Sequence, residues 1–232
     1  GSCSLAMEPG KDRHSSGPEP ENEQLLYCGW CESDPVGSSS ISRYERGSPN
    51  MIFNSDGSHQ LRGWTSLSGV AWQIEDSDLP IFNSRTNFVS SFQWCTMVQG
   101  VNLRKFVVHP SDICVEVSAK YMARTDCPSV FELVSCILDS EGRILSSFSS
   151  GVLSAPADYW DGVRHVFEPT DGAHFALVVA RGKDQRFWRG NFGSKVSRLS
   201  VRVLFDESVT DQRDIIYPEA FENLTEDKDT LL

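Results

Sequence analysis

The sequence predicts an all-β fold: an antiparallel β-sandwich of about ten strands with flexible acidic tails. Three observations carry this expectation. Between positions 49 and 205, short apolar runs recur at roughly 8–15-residue spacing, with turn residues between them. Several runs alternate apolar and polar side chains with the period of a half-buried strand. No window there sustains a 3.6-residue apolar period over three turns, so long helices are not expected.

The chain divides into three parts. Residues 1–48 open with a Pro-, Glu-, Ser- and Gly-rich tract and are expected to be largely disordered. Residues 49–205 are the expected folded domain. Residues 206–232 form an acidic tail in which one short helix could start at Pro218. Within the domain, Met51-Ile52-Phe53 is followed by the turn signal Asn54-Ser55-Asp56-Gly57. Val70, Trp72 and Ile74 alternate in a short strand that residues 76–80 are expected to break. Residues 88–95 read as one strand, with Phe88, Phe92 and Trp94 on the same parity, and the apolar texture continues over 97–108. Ile113, Val115 and Val117 point to one face. Residues 131–138 suit a central strand, and Asp139-Ser140-Glu141-Gly142-Arg143 suits a hairpin turn into a return strand over 144–148. Further strands are expected at 163–167, 174–180 after Asp171-Gly172, and 196–205, where Leu199, Val201, Val203 and Phe205 share a face.

Charge and composition exclude several functions. The net charge of −11 argues against a nucleic acid held by phosphate contacts. Residues 206–232 contribute −7 (nine Asp/Glu against Arg213 and Lys228), and residues 1–48 contribute −4 (eight against four), so the middle balances at zero. No stretch approaches the ~20 apolar residues of a membrane span, and the N-terminus lacks the apolar core of a secretion signal. Seven cysteines without such a signal suggest a reduced, cytoplasmic protein with buried thiols. Cys28-Gly29-Trp30-Cys31 has no second ligand pair for zinc and no strand-to-helix context for redox chemistry. His109, His165 and His174 lie in or beside strands and read as structural. There is no Gly-x-Ser-x-Gly elbow, Walker loop or Gly-x-Gly-x-x-Gly. No catalytic residue, metal site or cofactor is therefore expected, and the chain reads as a non-enzyme.

The informative stretch is Asp184-Gln185-Arg186-Phe187-Trp188-Arg189-Gly190-Asn191-Phe192-Gly193. Two adjacent aromatics cannot both face a core at period 2, so at least one of Phe187 and Trp188 belongs in a turn or at the surface. An aromatic beside a cation at a loop tip can build a binding surface. Equally, Trp188 could plug one end of the sandwich.

The same stretch resembles a known family. Lys183-Asp184-Gln185-Arg186-Phe187-Trp188-Arg189-Gly190-Asn191-Phe192-Gly193, with Val196 and Ser200-Val201, is similar to the closing Gln-Asp-x-x-Tyr/Phe-Trp-x-Gly-x-Tyr/Phe-Gly pattern of the F-box-associated domain. Asn50-Met51-Ile52-Phe53-Asn54-Ser55-Asp56-Gly57 through Trp64 resembles its opening. Phe88-Val89-Ser90-Ser91-Phe92-Gln93-Trp94-Cys95 with Gln99 and Leu103 resembles its Phe-Val-Thr-Ser-Phe-Glu-Trp-Cys stretch, and Ala123-Arg124-Thr125-Asp126 through Leu133 a further strand. The resemblance implies a galactose-binding-like, jelly-roll sandwich. In glycan-reading members of the family, loops at one end bind the inner chitobiose of high-mannose N-glycans. Carried over, the glycan-binding residues are Phe92, Phe187, Trp188 and Arg189.

The resemblance also implies partners: N-glycosylated client proteins, in ubiquitin-dependent glycoprotein quality control in the cytoplasm. Three departures bear on that. The family's acidic sugar contact falls in Ser118-Ala119-Lys120-Tyr121-Met122, at Ala119. The family's acidic helical segment is reduced to residues 104–110. Residues 1–48 show no F-box pattern, so docking of a Skp1-type adaptor through this chain is not expected. Two alternatives to a lectin-like module follow: a protein-interaction scaffold with a decayed sugar site, or a receptor-type role as in the family's cytotoxic-cell receptor branch.

Overall fold

The computed structural model describes residues 46–81, 83–105 and 113–205. The expectations for disorder in residues 1–45, Cys28 and Cys31, His109, the segment 106–110 and the helix at Pro218 lie outside these residues. Twelve strands are described: β1 (Arg46–Gly47), β2 (Thr65–Ser66), β3 (Gln73–Ile81), β4 (Ser84–Val89), β5 (Cys95–Asn102), β6 (Ile113–Met122), β7 (Ser129–Leu138), β8 (Ile144–Ser149), β9 (Leu153–Ser154), β10 (Asp161–Phe167), β11 (Phe175–Asp184) and β12 (Lys195–Phe205). They make two six-stranded antiparallel sheets. One runs β10-β6-β12-β4-β3 with β1 added to β12, and the other runs β2-β5-β11-β7-β8 with β9 added to β7. Among the described residues there is no α-helix, only a 3₁₀ turn over Leu103–Lys105.

Period-2 patterning sets the core, as the sequence predicted. Val115, Val117, Ala119 and Tyr121 of β6 and Val196, Leu199, Val201 and Val203 of β12 face Cys95, Met97, Phe131, Leu133, Ile137, Ala176, Val178 and Ala180 of the other sheet. Tyr121 stacks on Phe131 at 5.1 Å, and Trp64 meets Phe88 edge-on at 5.9 Å. His165 lies between Phe148 (4.2 Å, stacked) and Phe167 (4.6 Å, edge-on), and burial lowers its pKa. It is a packed structural histidine.

Two strand expectations need correction. Residues 88–95 are not one strand: β4 ends at Val89 and β5 starts at Cys95. The ladder breaks because the Ser90 amide donates to the Ser194 carbonyl (3.0 Å) and the Ser91 amide to Cys95 Sγ (3.2 Å). Phe88 is buried in the core, whereas Phe92 and Trp94 sit half-buried on the intervening loop. Residues 76–80 do not end the preceding strand either. β3 continues through them to Ile81, with its register against β4 shifted between Asp76 and Ile81. As an edge strand, β3 tolerates Pro80, whose missing N–H interrupts no central ladder.

That irregular stretch of β3 is tied across its sheet. The Lys195 ammonium lies 2.9 Å from Glu75 and 3.0 Å from Asp78, with its side chain only 4% exposed. Trp160 Nε1 donates to the Leu79 carbonyl at 2.7 Å. Burial alone would lower the Lys195 pKa, but the two carboxylates outweigh it and the net shift is upward. At the end of β6, burial and the neighbouring Asp161 push the Tyr121 hydroxyl from 10.0 to about 12. Both groups hold their protons more tightly when folded. Their contribution is fully present below the unfolded pKa and lost as pH rises through the folded one. Between about pH 10 and 12 the urea midpoint should therefore fall, with part of that fall absent in Tyr121→Phe.

Polar side chains close the side of the sandwich between the two sheets. Asn50 Oδ1 accepts the amides of Ile52 (3.0 Å) and Val201 (3.1 Å), and its Nδ2 donates to the Leu199 carbonyl. That carbonyl is freed by a bulge in β12 between Ser197 and Ser200. Gln99 on β5 accepts the Phe53 amide (2.8 Å) and donates to the carbonyls of Phe53 and Gly63. Asn54, at φ 57°, donates to the carbonyls of Gln60 (2.7 Å) and Arg62 (3.0 Å) and accepts the His59 amide (3.0 Å). Asn tolerates that left-handed backbone better than most residues. Asn54→Ala removes three hydrogen bonds from a buried site and should destabilise the fold by about 2–4 kcal/mol, measured as a lowered urea midpoint at unchanged m.

Candidate functional site

β4, β6 and β11 run toward the same end of the sandwich, and β5, β7 and β12 leave it. Loops 90–94, 123–128 and 185–194 therefore gather there. Backbone chemistry locks them together. Ser91 Oγ donates to the Gly190 carbonyl (2.7 Å), the Gly193 amide to the Ser90 carbonyl (2.9 Å), the Asp184 amide to the Ser91 carbonyl (2.9 Å) and the Gln185 amide to the Pro128 carbonyl (2.9 Å). Gly193 permits the approach: a Cβ there would meet Ser90 Oγ and come within 2.9 Å of the Asp184 amide nitrogen.

Asp184 turns the chain out of β11. Its Oδ1 accepts the amides of Arg186 (3.1 Å) and Phe187 (2.9 Å), while the residue stays 3% exposed. The next residues are thrust into solvent. Trp188 is 79% exposed, Phe187 37% and Phe192 36%, and Arg189 is exposed. Phe187 and Phe192 pack edge-on at 5.2 Å. Gly190 bends the loop at φ 88°. Trp188 thus stands at the surface rather than plugging the sandwich, and no ion pair of Arg189 occurs among the described residues. Of the four residues named from the sequence, Phe187, Trp188 and Arg189 share one loop. Phe92 is half-buried on the 90–94 loop, next to Ser91, which bonds the first.

Sequence reasoning did not assign several neighbours. Phe192 completes the exposed aromatic group. Trp94 carries two cations against its ring, Arg181 at 4.8 Å and Lys183 at 5.0 Å, and Arg181 pairs with Glu132 at 3.1 Å. The alternation of Arg181 and Lys183 along β11 was the available signal, but only the cross-strand register brings Trp94 to them. Asp184, two and three residues ahead of the amides it accepts, is a side-chain-capped turn that its spacing alone could suggest. Ala119 lies within the core opposite Val163, with no side-chain carboxylate to offer the loops. Cys95 and Cys127 are buried free thiols beneath the loops. Burial pushes Cys95 up to about 11 and raises Cys127, so both stay protonated near neutral pH. No cluster of His, Cys, Asp and Glu suited to a metal occurs among the described residues.

Fold and site together describe an antiparallel sandwich presenting an aromatic and cationic loop group at one end. The chain belongs to the F-box associated region family, whose profile matches residues 43–203. Among curated proteins it is 29% identical to F-box only protein 2 of Bos taurus, over 66% of this chain and 58% of the relative. It is 32% identical to human F-box only protein 17, over 66% of this chain and 60% of the relative. The match therefore spans less than two-thirds of those relatives' length. Among solved structures, the enzymatically active domain of tailspike protein 4 of bacteriophage CBA120 superposes with a TM-score of 0.50 at 13% identity, covering 66% of this chain and 21% of that one. At that identity the likeness is one of fold. Among the described residues, no helix is long and apolar enough to cross a membrane.

Proposed function

We propose that this domain is a lectin-like recognition module that binds the chitobiose core of N-glycans on client glycoproteins. Trp188, Phe187, Phe92 and Arg189 would make the site. The observation that carries the reading is the 79% exposure of Trp188 on a loop held rigid by its neighbours. With Phe187 and Phe192, Trp188 forms a group of exposed aromatics on one loop, and its ring suits the apolar face of N-acetylglucosamine. The Arg189 guanidinium supplies donors for the acetamido carbonyl or ring hydroxyls. No cofactor enters this reading, and the module is a non-catalytic substrate receptor. In this reading its clients are high-mannose glycoproteins in ubiquitin-dependent quality control in the cytoplasm, a role that kinship with F-box only proteins supports. Calorimetric titration of the full chain with chitobiose tests this. Saturable heat at up to millimolar sugar is the expected result, and no heat at that concentration would leave the protein-interaction scaffold as the better account.

A further inference from the structure

We propose that the tip of the loop between β6 and β7 is a positioning element for the aromatic loop, with Asp126 as its anchor. The inference rests on the sugar-binding reading, since it concerns how that surface is held in shape.

Asp126 holds two guanidinium groups by different atoms. Its carboxylate receives Arg124 Nε at 2.9 Å and Nη2 at 3.3 Å, and its backbone carbonyl receives Arg186 Nη1 at 2.8 Å. Each cation then lies against one ring of the exposed aromatic pair. Arg124 is 5.2 Å from the Phe192 centroid and Arg186 is 5.7 Å from that of Phe187. The two rings meet at 5.2 Å with an interplanar angle of 63°. A single residue on one loop thereby clamps, through two cations, the two rings that bracket Trp188 and Arg189 on another.

The clamp has work to do because Phe187 and Phe192 are too exposed for core packing to fix them. Attraction between a cation and a ring face orients both, and a loop ordered before the sugar arrives avoids losing that freedom on binding. The ion pair itself is solvent-exposed, at 32% for Arg124 and 56% for Asp126, so its contribution to folding is small. A positioning role and a folding role therefore predict different outcomes.

The full chain with Asp126→Ala should bind chitobiose roughly fivefold more weakly while its thermal midpoint is unchanged. Arg124→Gln should do the same, and the double variant should be no worse than the weaker single one, because both remove one clamp. Unchanged affinity in Asp126→Ala, or additive losses in the double variant, would overturn the proposal. A readout independent of sugar separates it from the binding hypothesis: ring currents from Phe192 should shift the Arg124 Hδ resonances upfield in the wild type, and Asp126→Ala should abolish that shift. If the wild type fails to bind chitobiose but shows the shift, the sugar reading falls and the clamp stands. If the shift is absent from the wild type, the clamp itself is wrong.

Discussion

Replacing Trp188 with alanine should weaken chitobiose binding by about 2 kcal/mol or more, roughly thirtyfold, without altering stability. The reasons are geometric. The side chain is 79% exposed, so its removal opens no cavity and should move the unfolding free energy by less than about 0.5 kcal/mol. The backbone around it is fixed by groups that do not involve the indole. Asp184 caps the amides of Arg186 and Phe187, and Ser91 holds the Gly190 carbonyl. The loop should therefore keep its course in the variant, and lost affinity would report lost stacking. Equal affinity in variant and wild type would remove Trp188 from the site.

Phe131→Ala should have the opposite profile, with a stability loss of about 3–5 kcal/mol. Phe131 is fully buried in β7, stacks on Tyr121 from the facing sheet and pairs in register with Gly182 of β11. Truncation leaves a cavity between two sheets whose backbones are fixed by continuous ladders, so little collapse can fill it. For a domain of this size the thermal midpoint should drop by roughly 10 °C in calorimetry. Sugar affinity at low temperature, where the variant is still folded, should be near that of the wild type, because β11 carries the loop through its ladder with β5 as well as β7. A loss below about 1 kcal/mol would mean that the sheets can close over the gap.

These two residues also mark what the sequence made legible. Trp188 was readable as a surface candidate because adjacent aromatics cannot share a strand face, and Phe131 as core because its run has the length and texture of a central strand. Phe92 belongs to a motif stretch whose pattern suggests one strand over 88–95, whereas β4 stops at Val89 and β5 starts at Cys95. At residues 90–94 the Ser90 amide leaves the ladder for the Ser194 carbonyl, with a hydroxyl pair between the same two residues, 104 positions apart, which no local pattern encodes. The length of β3 is hidden for a related reason: Asp76 and Pro80 are turn residues in isolation, and the strand is held by contacts from outside it, the ladder with β4, Lys195 on Glu75 and Asp78, and Trp160 on the Leu79 carbonyl. Asn50 and Gln99 are motif residues, yet their role in tying residues 50–63 to the two sheets emerges only from partners up to 151 residues away. Local periodicity thus carried the core and the exposed aromatics, while side-chain contacts across the fold decided loop boundaries and what steadies the site.

The central claim is that sugar binds at the joined 90–94 and 185–194 loops. Amide chemical-shift mapping of the isotopically labelled full chain, titrated with chitobiose, tests it most directly. The account predicts saturable shifts concentrated at residues 90–94 and 185–193 and at the indole N–H of Trp188, with β8 and the 139–143 turn unmoved. Shifts centred elsewhere on the sandwich, or none at millimolar sugar, would contradict it.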